Sequence, residues 1–143
     1  MHQMKILIKL FFIILILILS KKTNAKSENI ILFSISDEIF TTIDLNNRFN
    51  YINIKENKFI EYDEGILNDF ISVLLFNKYY AELNIKNDHG DLIDKKLKEI
   101  KRNINLKNDE ELNKILKEVS EKEIKKNIIY DFKRKIIIES ELQ

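Results

Sequence analysis

A chain of 143 residues, 45% hydrophobic and 33% charged, holds enough apolar material for one core and enough charge to solvate it, which excludes disorder throughout and a second domain of ordinary size. Proline and cysteine are absent and glycine occurs twice, so disulfides and attachment of lipid through cysteine are excluded, and a many-stranded sheet with tight turns is disfavoured. The formal charge is +1, too small to suggest a polyanion as partner.

Residues 1–25 stand apart in composition. Lys5 and Lys9 precede an unbroken apolar run from Leu10 to Leu19, and a polar stretch then ends at Thr23-Asn24-Ala25. That is the positive, apolar and cleavage-site layout of a secretory signal peptide, and it predicts a mature end at Lys26 in the periplasm. The run is well short of the roughly 20 apolar residues that cross a bilayer as a helix. Lys21 and Lys22 work against translocation, so an uncleaved inner-membrane anchor is the alternative. Without the four lysines of this segment, the mature chain 26–143 carries 20 basic and 23 acidic residues, a balance of −3.

The mature chain reads as one mainly α domain, a short N-terminal β-ribbon followed by about five helices. From Asn29 to Phe40, Ile31, Phe33 and Ile35 alternate onto one face, Asp37-Glu38 interrupts, and Ile39-Phe40 resumes, which predicts two strands and a polar turn. Thr41 and Asp44 have capping-box spacing and open a helix with Leu45, Phe49 and Ile52 on one face. After a polar loop from Asn57 to Asp63, Ile66, Phe70, Val73 and Leu74 with Leu67, Ile71 and Leu75 predict a helix apolar nearly all round, which belongs in the middle of the domain.

Asn87, Asp88 and Gly90 mark a turn, and Ile93, Leu97 and Ile100 carry a further helix that the polar run through Asn103 is expected to end. Asn108 with Glu111 repeats the capping spacing ahead of Leu112, Ile115, Leu116 and Val119. Ser120 with Glu123 repeats it again, and the last helix steps through Ile124, Ile128, Phe132 and Ile136. A tight corner is expected at Val119-Ser120.

This order resembles the N-terminal domain of SurA-type periplasmic chaperones. The segment ILFSISDEIFTTIDLNNR is similar to the family's opening, where an apolar strand runs into a polar turn, a second apolar pair, Thr41, and then Asp44-Leu45 at a helix start. EGILNDFISVLLFNKYYAELNI resembles the central helix of the family, and Ser120 through Ile138 resembles its last N-terminal helix. The turn from Lys86 to Asp91 fits the pattern with about one extra residue. Longer relatives continue into parvulin-type prolyl isomerase domains and a C-terminal helix that completes the core; neither is present in this sequence.

The resemblance implies a holdase that binds unfolded outer-membrane proteins through an apolar groove without catalysis. It also allows a structural or adaptor subunit whose groove a partner helix fills, or a remnant of a longer isomerase acting in trans. An uncovered groove would further permit a homodimer. Its contacts are expected around Phe76, Tyr79, Tyr80, Ile129 and Ile137, off the main stripes, with Tyr51 and Tyr62 as further amphipathic candidates.

Enzymatic chemistry is not expected. The mature chain has one histidine, His89, beside Gly90 in a polar turn, and no nucleophile elbow. Asp88, His89 and Asp91 without a second cluster do not make a metal site, and Gly65 and Gly90 lie too far apart for a phosphate loop, so neither a cofactor nor a small-molecule substrate is expected. Lys122, Lys125, Lys126, Lys133, Arg134 and Lys135 interleave with Glu121, Glu123, Asp131 and Glu139, the pattern of a solvated, charge-paired face and not of a nucleic-acid site.

Overall fold

The computed structural model describes residues 29–85 and 89–141. The expected signal peptide and the turn at Asn87 and Asp88 lie outside them. Two antiparallel strands, β1 (Ile31–Ile35) and β2 (Glu38–Thr41), lead into five helices: α1 (Thr42–Glu56), α2 (Glu64–Glu82), α3 (Gly90–Lys107), α4 (Glu110–Glu118) and α5 (Glu121–Glu141). The expected class, mainly helical with a short opening ribbon, is the class observed.

The ribbon turns at Ser36 and Asp37, where Ser36 has φ 54°, the left-handed region in which hairpin turns more often place glycine or asparagine. Phe33 stands opposite Phe40 and Ile35 opposite Glu38, but Ile31 pairs with Thr41. Leu32 is therefore an extra residue on β1, and an extra residue reverses the face that the strand presents beyond it. This explains why Ile31, expected to share a face with Phe33 and Ile35, is 64% exposed. The inner face of the ribbon is fixed by a ring cluster in which Phe33, Phe40 and Phe70 of α2 lie 5.6–5.9 Å apart between centroids.

The Asp44 carboxylate accepts hydrogen bonds from the backbone N–H and the hydroxyl of Thr41, at 2.9 and 2.8 Å, which starts α1 where the spacing predicts. The end of α3 is different. The helix runs through the polar stretch to Lys107, because Ile104, fully buried, continues the stripe of Leu97 and Ile100. Asn108 then closes α3 in the left-handed conformation at φ 54°, so it is not free to start α4. Asp109 does so instead, its carboxylate accepting from Glu111 N–H at 3.1 Å and Leu112 N–H at 3.2 Å. Asp109→Ala should accordingly cost about 0.5–2 kcal/mol, whereas Asn108→Gly should be close to neutral because glycine adopts that backbone freely. Urea titration of both variants checks the ranking, and the reverse order would contradict the cap assignment.

Val119 is extended and Ser120 Oγ accepts from Glu123 N–H at 3.2 Å, giving the tight corner into α5. It is α1, not α2, that occupies the middle, packing against β2 and all four other helices. The apolar surround of α2 is only partly used: Leu75, Tyr79 and Leu83, at four-residue steps, remain 51%, 42% and 44% exposed.

Two apolar clusters form the core. One joins α1, α3, α4 and α5 through Tyr51, Ile54, Leu97, Ile104, Leu112 and Ile128. The other joins the ribbon, α1, α2 and α5 through Phe40, Leu45, Phe70, Val73, Leu74 and Tyr130, and Ile52 packs against both. An ionic cluster ties α1 to α2 and α5. Arg48 of α1, 1% exposed, donates from Nε to Asp69 of α2 at 2.7 Å and from a terminal nitrogen to Asp131 of α5 at 2.7 Å. Arg134 bonds the same two carboxylates, Lys55 reaches Asp131 at 2.9 Å, and the Tyr51 hydroxyl donates to Asp131 at 3.2 Å.

Burial alone would raise the Asp131 pKa, but the attraction of Arg48 and the hydrogen bond and charge of Lys55 together hold it below the ordinary carboxylate range. Burial, then the Asp131 charge, push the Tyr51 phenol far up, so Tyr51 stays a neutral donor.

Candidate interaction groove

An open groove of about 590 Å3 runs along α5 beside α2, lined by Glu121, Lys122, Lys125, Lys126, Ile129, Tyr130 and Lys133 of α5 and by Asn77 of α2. The sequence positions it simply. On α5, Ile124 and Ile128 turn into the first core cluster and Tyr130 into the second, which leaves Lys122, Lys125, Lys126, Ile129 and Lys133 along the groove. Ile129 is half-buried and the Tyr130 ring is mostly covered, so the floor is apolar. Burial, with nearby acids, pushes the Tyr130 phenol up to about 12, which keeps it uncharged.

The walls are lysine stems, which bury their methylenes while the ammonium stays at the rim. Lys126 Nζ stands 5.9 Å from the centre of the Tyr130 ring and Lys133 Nζ 5.3 Å from that of Tyr80. Lys133 also donates to Asn77 Oδ1 at 2.7 Å, and its desolvation holds its pKa below the usual lysine value.

The expected contact residues divide. Ile129 lines the groove, whereas Phe76, half-buried on α2, is not among the residues that line it. Tyr80, expected at the surface, is only 5% exposed, under Lys133. Ile137, expected at the groove, is 2% exposed and belongs to the core. Tyr79 is exposed, but on the α2 stripe with Leu75 and Leu83. Of the further tyrosines, Tyr51 is buried and Tyr62 is 56% exposed, packed edge-on against Phe49. His89, expected as a surface turn residue, is half-buried with its ring 5.1 Å from that of Phe132.

Sequence reasoning expected a groove contact at Ile129 but placed the lysines of α5 on a charge-paired face, and so missed that they line the groove. The available signal was Ile129, an apolar residue set among Lys122, Lys125, Lys126 and Lys133 at helical spacing. It also missed Arg48, which shares the inner face of α1 with Leu45 and Ile52.

Comparisons with protein families, with curated proteins and with solved structures find no match to this chain. Among the described residues no helix is long and apolar enough to cross a membrane, and no three His, Asp or Glu side chains stand together as metal ligands.

Proposed function

We propose that residues 26–143 form a SurA-type chaperone module, exported to the periplasm by the segment 1–25, that holds unfolded outer-membrane proteins without catalysis. The open groove between α2 and α5 carries this reading: an apolar floor at Ile129 and Tyr130 walled by lysine stems. Such walls adjust to many side chains and bind each weakly, which suits capture and release of segments with no fixed shape. The ribbon running into a capped helix, with four more helices after it, is the order that the family resemblance implies and adds to the case.

Diluting an unfolded outer-membrane β-barrel protein from urea, with light scattering as readout, tests it. The mature chain near equimolar ratio should suppress aggregation, and Ile129→Glu should remove most of that effect while the variant still melts cooperatively. Scattering that is the same with and without the protein would sink the proposal.

A further inference from the structure

We infer that the groove between α2 and α5 selects protein segments that place carboxylates on both sides of an apolar anchor. The inference rests on the groove assigned above and names the chemistry of what it holds. Four lysines line the groove against one carboxylate, Glu121. That carboxylate is already engaged by Lys101 at 2.7 Å and by Lys125 at 3.3 Å, and Lys125 also meets Asp94 at 2.9 Å. Lys126 reaches Glu123 at 3.6 Å. Lys122 and Lys133 have no carboxylate partner among the described residues.

Lys133 is the more telling of the two. It is partly desolvated, and its described partners, the Asn77 amide oxygen and the Tyr80 ring, are neutral. An ammonium that has lost part of its hydration without meeting a counter-charge gains most from an incoming carboxylate. The second groove of the molecule shows the contrast. It is lined by Lys55, Lys96 and Lys135 among others, and there Asp131, Glu99 and Glu139 respectively pair the three lysines. A further hollow, lined by Lys95, Lys98, Glu99 and Arg102, also holds cations without a carboxylate partner among the described residues, but no apolar side chain lines it, so unpaired positive charge beside an apolar floor is what marks the groove of α5.

The spacing defines the occupant further. Lys122 and Lys133 are separated by eleven helical steps, about 16 Å along α5. An extended segment spans that with about five residues. A bound segment therefore carries an acid at each end and an apolar side chain between them, seated on Ile129 and Tyr130. The apolar floor is what separates this from simple polyanion binding.

Three fluorescent peptides with one central apolar residue and flanking Glu, Gln or Lys pairs, titrated with the mature protein by anisotropy, test the inference without reference to aggregation. The Glu peptide should bind about tenfold more tightly than the Gln peptide, with the Lys peptide weakest, and the preference should fade at about 0.5 M salt. Lys122→Glu, at an exposed position, and Lys133→Gln, checked for cooperative melting, should each reduce the preference. Equal binding of the Glu and Gln peptides overturns the inference even if aggregation is suppressed, leaving the holdase reading in place. Displacement of the Glu peptide by an oligonucleotide as readily as by unlabelled Glu peptide overturns it too, since the groove would then read charge alone.

Discussion

Arg48→Ala should destabilise the domain by about 3–5 kcal/mol, the cost of removing one partner from a buried ion pair. The guanidinium bonds α1 to both α2 and α5, and among the described residues its loss leaves Asp69 with Arg134, and Asp131 with Arg134 and Lys55, as the remaining cationic partners. In a domain of this size that is a fall in Tm of about 10–25 °C. Arg48→Lys should recover little, because an ammonium cannot bond two carboxylates in the planar geometry of a guanidinium. Differential scanning calorimetry across pH supplies a second readout. The Asp131 pKa is depressed in the folded state, so its contribution is full above the unfolded value of about 3.9 and is lost as pH falls through the folded value. The gap between parent and variant should therefore narrow below about pH 4. A variant that melts within about 2 °C of the parent at neutral pH would show that the cluster holds nothing together.

Leu112→Ala should cost about 2–5 kcal/mol, through lost burial and the cavity left behind. Leu112 is fully buried and is the one buried residue of α4, a helix of nine residues that is too short to persist alone in water. Its packing in the first core cluster, with Ile54, Leu97 and Ile104, is what keeps α4 against α1 and α3. The loss should be local as well as global, with amide exchange in Glu110–Glu118 accelerating more than in α5. Leu106→Ala, at a side chain 77% exposed in the last turn of α3, is the matched control and should change stability by less than about 0.5 kcal/mol. Similar losses at the two leucines would mean that α4 does not pack as described.

The elements themselves were legible because they depend on interactions within a few residues of one another. Thr41 with Asp44 and Ser120 with Glu123 announced helix starts that the backbone adopts, and the steps from Ile124 to Ile128 are those of a buried helical face. Where two local signals competed, the sequence misplaced the boundary. Asn108 suits both a helix cap and a left-handed residue, and the buried Ile104 decided for the second by carrying α3 onward. The site was less legible. Ile129 and Ile137 look alike as apolar residues off the main stripe, yet one lines an open groove and the other is buried, a difference that spacing within α5 does not encode.

The sequence by itself determined the mainly helical class, the opening ribbon, the order of the five helices and the caps that start α1 and α5, since patterning and capping are contacts over one or two turns. Tertiary structure alone decided that α1 lies in the middle, that Arg48 is buried between Asp69 and Asp131, and that Lys122 and Lys133 flank an apolar floor without carboxylate partners among the described residues. Arg48 stands 21 residues from Asp69 and 83 from Asp131, and no local rule couples charges across such separations. Only the approach of two other helices, driven by apolar burial on either side of this arginine, removes its water and supplies its partners.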